Sequence, residues 1–172
     1  MHRLHSRGFS LAELLVTLCI VAVLASLAAP SLNRYVQRSH QDNLRHSLTS
    51  HLRAARSEAI ARVRRIELCG SSSGQHCDSA WEKGWLIRDP ATNTRLRYSP
   101  LNSPEQLTWA GASVASQSIT YQANGTTASN NGRFILCTAQ KRVAWQLIIN
   151  RQGRVRHNDG LENGQSDSAL CR

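Results

Sequence analysis

The residues of this 172-residue chain that are best suited to chemistry are two arginines near its C-terminus. Residues 143–149 read VAWQLII and predict an apolar strand, residues 150–153 predict a tight turn, and residues 154–157 predict a returning strand. On a strand, Arg154 and Arg156 share one face, with Cα atoms about 6.6 Å apart. That spacing is similar to the spacing of adjacent phosphates in a nucleic-acid strand, and a guanidinium binds phosphate through a bidentate fork. The pattern predicts a hairpin that binds phosphate groups.

Neighbouring residues could enlarge this arginine patch. The other candidates are Gly153, Arg151, Arg142, Lys141 and Arg133. The glycine allows a positive φ angle in the turn, so its expected role is hairpin geometry and only indirectly ligand binding. The four cations lie in the turn or on adjacent segments. An alternative role for the strand arginines is to prevent edge-to-edge aggregation of the sheet.

The net charge of the chain also favours an anionic partner. There are 21 Lys and Arg against 11 Asp and Glu, a formal net charge of +10, and 19 of the cations are arginine. Residues 31–172 hold 19 cations and 10 acids, a net charge of +9. Arginine stays protonated and matches phosphate geometry, although an ordinary solvated surface is the alternative. The length fits one domain, and the composition argues neither for a large enzyme nor for a disordered polycation.

Catalytic and metal-binding patterns are not found in the sequence. GSSSG at residues 70–74 lacks the flanking strand and helix of a nucleophile elbow, and GRVR lacks the GK[ST] element of a phosphate-binding loop. His40, His46 and His51 do not share an ion, because the outer two lie about 16 Å apart on a helix. We therefore expect surface histidines, no catalytic residue, no metal, no cofactor and no enzymatic activity.

The element that opens the chain is an apolar helix. Residues 9–29 contain a single charge, Glu13, and are long enough to span a bilayer, which needs about 20 residues. The leader before them carries Arg3 and Arg7, which favour a cytoplasmic N-terminus and hence export of the rest. A carboxylate inside the membrane requires either a partner charge or access to the headgroups. The segment predicts a membrane anchor, in which Glu13 either has a functional partner charge or reaches the headgroups.

The helix is expected to continue past the apolar segment as an amphipathic helix. Spacings of three and four place one set of apolar residues on a single face: Leu44, Leu48, Leu52, Ala55, Ala59 and Val63. Arginines occupy the other faces. The pattern predicts one long helix whose second half packs on a small domain.

Beyond residue 65 the sequence predicts a β-rich domain. Short apolar runs separated by Gly, Asn, Ser and Pro predict strands over residues 65–69, 84–88, 95–98, 118–122, 133–138, 142–149 and 154–157. Residues 99–117 and 122–132 are predicted to be loops. No internal repeat occurs.

The cysteines divide into one and four. Cys19 lies in the apolar segment and is expected to act as a small hydrophobic residue. The other four allow three disulfide connectivities, or a zinc site that the absence of a CxxC spacing disfavours. Pairing Cys69 with Cys77 closes a Gly/Ser-rich loop, and pairing Cys137 with Cys171 ties the C-terminal tail to a strand. We prefer that connectivity.

The N-terminus resembles the type IV prepilin signal of pilins and of type II secretion pseudopilins. The resemblance rests on GFSLAE at residues 8–13, which follows a basic leader and opens the apolar helix. It implies that prepilin peptidase cleaves after Gly8 and that Phe9 becomes N-methylated. It implies that Glu13 pairs with the terminal amine of a neighbouring pilin, and that the helix bends or melts near Pro30.

The whole chain resembles the GspH/FimT group of minor pilins, most closely its FimT-like competence pilins. The resemblance rests on the prepilin helix, two cysteine pairs and a C-terminal Gly-Arg-x-Arg motif at residues 153–156. It implies an α+β, type IV pilin-like fold in which a long N-terminal transmembrane helix packs on an antiparallel β-sheet domain. The expected divisions are a leader at 1–8, a membrane helix at 9–29, a periplasmic helix at 30–64 and a β-domain at 65–172.

Two functions remain open at this point. In the first, the subunit travels from the inner membrane into a pilus with other minor and major pilins, and its GRVR motif binds extracellular double-stranded DNA for natural transformation. In the second, it is a structural minor pilin or pseudopilin that primes filament assembly without binding DNA.

Overall fold

A computed structural model of the chain describes residues 11–102, 105–112, 117–127 and 129–171. Gly8 and Phe9, the expected cleavage and methylation positions, lie outside these residues. The chain forms two units, Met1–Asn43 and Leu44–Arg172. The first unit is helical in its described part, and the second unit contains the end of the same helix and all the strands.

Helix α1 runs from Leu11 to Arg62. It contains no glycine, and it continues through position 30, where the prepilin resemblance implied a bend. By length and composition it could cross a membrane. Its large apolar side chains in the first unit are exposed, among them Leu14, Leu15, Val16, Leu18, Ile20, Val21, Val23 and Leu24. An exposed apolar helix of this kind needs lipid or other subunits around it.

The second half of α1 has the predicted amphipathic face. Its buried residues are Leu44, Leu48, Leu52, Ala55 and Ala59. Val63 was wrongly placed on that face, because it is 75% exposed and has a φ of 53°. The helix has already ended there: the amide of Val63 donates to Ile60, and the amide of Arg64 donates to Ala59. These two bonds, with Val63 in the left-handed region, form a Schellman motif, which ends the helix.

The rest of the second unit consists of two four-stranded antiparallel sheets and a short helix. The strands are β1 Ile66–Gly70, β2 Gly84–Asp89, β3 Thr94–Pro100, β4 Gln106–Gly111, β5 Ser118–Tyr121, β6 Gly132–Cys137, β7 Val143–Ile149 and β8 Val155–Asp159. The first sheet has the order β3-β2-β1-β5 and the second has the order β4-β6-β7-β8. Helix α2 spans Asp167–Leu170. The expected fold class is confirmed.

One hydrophobic core joins the helix and both sheets. The buried face of α1 belongs to the same cluster as Trp85 of the first sheet and Trp145 and Phe134 of the second. The rings of Trp81 and Phe134 meet edge to face at 4.7 Å between centroids. The fully buried aromatic side chains, Trp85, Trp145, Tyr121 and Phe134, are the largest of the core, and leucines and isoleucines fill the space around them.

Two further expectations were wrong, one about residues 99–117 and one about His51. Residues 99–117 are not all loop, because β3 extends to Pro100 and β4 pairs with β6. Leu107 is buried and the ring of Trp109 lies 4.7 Å from that of Phe134, so tertiary packing overrides the turn-forming residues nearby. His51 is also buried: its ring contacts Trp85, and its Nδ1 lies 2.8 Å from the carbonyl oxygen of Ser47.

Both disulfides have the preferred connectivity. Cys69 is bonded to Cys77 and Cys137 to Cys171. The second bridge packs with Ile135, Val143 and Leu170 in a small apolar cluster of its own. The C-terminal helix is thereby held against the ends of β6 and β7.

Candidate functional site

The turn between β7 and β8 has the predicted geometry. The amide of Gly153 donates to the carbonyl of Asn150 at 2.9 Å, and the amide of Asn150 donates to the carbonyl of Arg154 at 3.1 Å. The side-chain oxygen of Asn150 accepts a further bond from the amide of Arg154 at 2.9 Å. Strand β8 begins at Val155, one residue later than predicted, so Arg154 is the last residue of the turn and not the first of the strand.

Gly153 is required both by its backbone angle and by its surroundings. Its φ is +72°, and a Cβ at this position would collide with the carbonyl oxygen of Gly125 and approach the ring of Tyr121 to 3.1 Å. The loop between β5 and β6 is hydrogen-bonded to the turn. The hydroxyl of Thr127 donates to the carbonyl of Asn150, and its backbone amide donates to the carbonyl of Arg151. The turn is thus held in place by a second loop.

Tyr121 lies fully buried beneath this turn. Burial raises the pKa of its hydroxyl well above the usual range, and the nearby charge of Arg56 opposes that shift in part. The phenol is therefore neutral under physiological conditions, and its ring serves as a hydrophobic support for the turn.

Arg151 and Arg154 are the exposed cations of this turn. Across the described part of the chain, neither side chain forms an ion pair with a carboxylate. Their guanidinium groups therefore keep their charge and their hydrogen-bond donors for a ligand.

Arg156, in contrast, has an acidic partner, Glu162, that was not predicted from the sequence. Its Nη2 lies 2.7 Å from Glu162, whose other oxygen lies 3.1 Å from Nη1 of Arg133. Arg133 and Arg156 flank Ile148 in one row across the sheet, so one carboxylate reaches both. The hydrogen bond from Arg156 holds the pKa of Glu162 below its ordinary 4.5.

Buried amide groups support this cluster of Arg133, Arg156 and Glu162. Gln146, which is fully buried, accepts a bond from Arg133 at 3.0 Å and donates to Gln165 at 2.7 Å. Gln165 in turn accepts from the amide of Glu162 at 2.9 Å. The position of the carboxylate is therefore built into the fold.

Lys141 and Arg142 do not join the other predicted cations. They lie in the turn between β6 and β7, at the opposite end of the seven-residue strand β7 from Gly153. A strand of that length spans about 23 Å. Arg142 also lies 3.9 Å from Asp167. The predicted single patch is thus divided into two, because the strand that connects its parts in sequence separates them in space.

Helix α1 brings cations to the turn that the sequence analysis had placed only on its other faces. Arg53, Arg56 and Arg154 line one cleft of about 280 Å³ together with Leu52, Gly153 and Val155. Nη1 of Arg56 donates to the carbonyl of Gly153 at 3.2 Å. Positions 45, 49, 53 and 56 each follow a buried residue of α1 by one, and this second stripe could have indicated the cleft.

A second cleft of about 380 Å³ adjoins the first through Arg53 and Val155. It is also lined by Arg45, His46, Thr49, Ser50, Leu147 and His157. Arg45 pairs with Asp159 at 3.0 Å. Within the described ranges no cluster of His, Cys, Asp or Glu could hold a metal ion. The arginines that line the two clefts give them the chemistry to bind anions.

Two family models match the chain. The model of the type II transport protein GspH matches residues 45–153, and the model of the prokaryotic N-terminal methylation motif matches residues 3–29. The first covers the second half of α1 and the sheets up to the Gly153 turn. A comparison with curated proteins finds no match.

Solved structures show the same fold. The crystal structure of the type IV minor pilin FimU of Pseudomonas aeruginosa strain PAO1 in space group P21 is similar with a TM-score of 0.55 and 26% identity, over 72% of this chain and 92% of that one. The structure of FimU in space group P65 gives a TM-score of 0.50 and 26% identity, over 66% and 88% of the two chains.

Proposed function

Because the chain belongs to the GspH family, we propose that it is a minor type IV pilin that binds extracellular double-stranded DNA through its β7–β8 turn and serves DNA uptake in natural transformation. A role in the minor pilin or pseudopilin class follows from the family and the methylation motif. Pilins are structural proteins, and the proposal includes no catalytic activity.

The observation that carries the proposal is the presentation of Arg154. The residue is exposed, it has no ion-pair partner among the described residues, and its backbone is fixed by Asn150 and Gly153. Because the turn already fixes the backbone of Arg154, binding needs to order only its side chain. Arg151 adds a second such cation in the same turn.

Binding of this kind recognises the phosphate backbone and not the base sequence. Each phosphate that an arginine neutralises releases condensed counterions, so affinity falls steeply with salt. Arg156 contributes fully only when a phosphate competes with Glu162 for its guanidinium. The leading contact in this proposal is therefore Arg154, with Arg156 as a weaker second contact.

The N-terminal residues supply the assembly part of the proposal. The methylation motif implies processing by prepilin peptidase and association with other pilins. We place cleavage after Gly8, N-methylation at Phe9, and a pairing of Glu13 with the terminal amine of a neighbouring subunit. Before assembly the chain would be anchored in the inner membrane with residues 31–172 in the periplasm. It would then be incorporated into the pilus fibre.

A structural role without DNA binding is the second candidate. It is favoured by Glu162, which pairs with both Arg156 and Arg133 within the subunit and offsets one of their two charges. A sheet face whose cations are already paired needs no anionic ligand. In that role the remaining arginines would contact only water or other pilins.

The test is DNA binding by the full chain, purified in a neutral detergent. Affinity for a short labelled duplex is measured by fluorescence anisotropy over a series of salt concentrations. We expect Arg154→Ala with Arg156→Ala to weaken binding at least about tenfold near 0.15 M salt, and to lower the log-log salt slope by one to two units. The matched control, Lys141→Ala with Arg142→Ala, removes the same charge at the other end of β7 and should change affinity less than about twofold.

Two results would contradict the proposal. If the double arginine variant binds as tightly as the wild type, the motif does not bind DNA. If the wild-type chain shows no salt-sensitive binding at all, the structural role is the correct one.

A further inference from the structure

A basic groove runs between α1 and β8, the edge strand of the second sheet. It is the sum of the two adjoining clefts described above, and its cations are Arg45, Arg53, Arg56 and Arg154. We call it the α1–β8 groove. All its lining residues belong to the unit Leu44–Arg172. The helix part of this groove was no part of the expected DNA-binding set.

The charge in the groove is poorly compensated. Asp159 pairs with Arg45, but in the described ranges no carboxylate pairs with Arg53, Arg56 or Arg154. Arg53 is exposed, and Arg56 is half-buried. Arg56 donates one hydrogen bond to the carbonyl of Gly153. Because a guanidinium has five N–H groups, most of its donors stay available. Three neighbouring cations without a counter-charge form a strong site for an anion.

The shape of the groove selects an extended anion. From Arg45 to Arg56 the helix rises by about 16 Å, which is longer than a single phosphate group requires. The lining also contains the exposed Ser50, whose hydroxyl can donate to a phosphate oxygen, whereas the hydroxyl of Thr49 already donates to the carbonyl of Arg45 at 2.8 Å. A polyanion with regularly repeated charges fits this arrangement better than an isolated ion.

The lining also distinguishes between kinds of nucleic acid. Among the described residues no Trp, Tyr or Phe lines either cleft, and the rings present are the imidazoles of His46 and His157. Binding of single strands depends largely on the stacking of bases on aromatic side chains. A groove with several arginines, and without the large rings of Trp, Tyr or Phe, suits the phosphate backbone of a duplex, whose bases are already stacked.

We infer that the α1–β8 groove binds the phosphate backbone of duplex DNA, with Arg53 and Arg56 of the helix acting beside Arg154. The inference rests on the proposed function and extends it from the turn to the helix. Arg53 touches the ligand directly. Arg56 has two roles, because it also holds the carbonyl of Gly153 and so positions the turn.

The experiment uses the full chain in detergent and a short labelled duplex, titrated at several salt concentrations. Arg53→Gln is the decisive variant, because Arg53 is exposed and has no partner among the described residues whose loss would disturb the fold. We expect binding to weaken about fivefold near 0.15 M salt and the log-log slope to fall by about 0.9. Arg97→Gln on β3 of the other sheet removes the same charge from an exposed arginine and should leave both values unchanged.

Arg56→Lys and Arg56→Gln separate the two roles of Arg56. Lysine keeps the charge and can still donate to Gly153, so it should retain more affinity than glutamine. Thermal unfolding followed by circular dichroism shows whether either variant has lost the fold.

The outcomes distinguish this inference from the proposed function. If Arg154→Ala weakens binding and Arg53→Gln does not, the helix is not part of the interface and the turn alone binds DNA. If Arg53→Gln and Arg97→Gln weaken binding equally, only net charge matters and the groove is no site. If neither Arg154→Ala nor Arg53→Gln has an effect, both the inference and the proposed function fail. A single-stranded oligonucleotide that binds more tightly than the duplex would also overturn the choice of ligand.

Discussion

The two ends of strand β7 are built for different purposes. At the turn end, residues 150–154 form a tight turn that is held by hydrogen bonds, and it presents beside α1 arginines that no carboxylate of the described residues pairs. At the disulfide end, residues 137–143 carry Lys141 and Arg142, and the Cys137–Cys171 bridge ties α2 to the sheet. Both ends are basic in sequence, and the turn end gathers further cations, Arg53 and Arg56, from α1.

The difference shows how one strand can separate binding from stability. The disulfide end has a covalent link, a small apolar cluster and Asp167, which accepts a bond from the amide of Val143 at 2.7 Å. The turn end has no covalent link, and its order depends on backbone hydrogen bonds and on Gly153. Changes at one end should therefore alter one property and spare the other.

The largest expected effect is on stability at the disulfide end. Replacing Cys137 and Cys171 by alanine opens a loop with a sequence separation of 34 residues. Loss of that constraint should lower the free energy of unfolding by about 4 kcal/mol, measured by chemical denaturation of the oxidised variant and wild type. DNA affinity at a temperature where the variant is still folded should stay within about twofold of the wild type.

The shorter bridge provides the control for this variant. Replacing Cys69 and Cys77, which are separated by 8 residues, should cost about 2 to 3 kcal/mol by the same loop argument. A folded Cys137 and Cys171 variant that no longer binds DNA would show that the two ends of β7 are coupled.

A smaller effect is expected at the turn end from Gly153→Ala. The new Cβ is strained by the positive φ and collides with Gly125, so we expect a loss of about 2 kcal/mol in the free energy of unfolding. Because the turn positions Arg154, affinity for duplex DNA should fall as well. Unfolding is followed by circular dichroism, and affinity is followed by anisotropy.

Gly164→Ala is the matched control for this glycine. Its φ is +81°, but nothing lies within 4 Å of a Cβ there, so only the backbone strain of about 1 kcal/mol applies. Equal losses of DNA affinity in the two alanine variants would mean that the Gly153 turn has no special part in binding.

The smallest effect, and one of opposite sign, is expected from Glu162→Gln. The change removes the negative charge that holds Arg156 and Arg133. Both arginines become available to phosphate, so we expect affinity for duplex DNA to rise about threefold to fivefold near 0.15 M salt. Asp167→Asn removes an acid at the disulfide end and should leave the affinity unchanged. Lower affinity after Glu162→Gln would show that the carboxylate orders the DNA-binding face instead of competing with DNA.

Much of this molecule could be predicted from local sequence signals. The stripe from Leu44 to Ala59 predicted the buried helix face, because helical periodicity depends only on spacing. The turn at Gly153 was predicted from a glycine between two strand-like runs, and its positive φ is set by the turn itself. The cysteine pairs followed from short loops and from the position of the tail.

Other features depend on contacts between distant parts of the chain. Strand β4 forms because Leu107 and Trp109 pack on the core, although the flanking residues favour a loop. Sheet pairing brings Arg133 beside Arg156, and Glu162 therefore bonds an arginine that precedes it by 29 positions. No local pattern around Glu162 indicates that contact.

By itself, the sequence determined the apolar N-terminal segment, the methylation motif, the strand-rich domain, the cysteine pairs and the Gly-Arg-Val-Arg turn. These features depend on composition and on short-range spacing, which are properties of the sequence and do not require tertiary contacts. Only the tertiary structure decided which cations are free. Pairing of β6, β7 and β8 places Arg133 in one row with Arg156, where Glu162 reaches both. Strand length separates Lys141 from Arg154, and packing of α1 beside β8 brings Arg53 and Arg56 to the turn. The charge available to a ligand depends on distances between side chains, and those distances exist only in the folded protein.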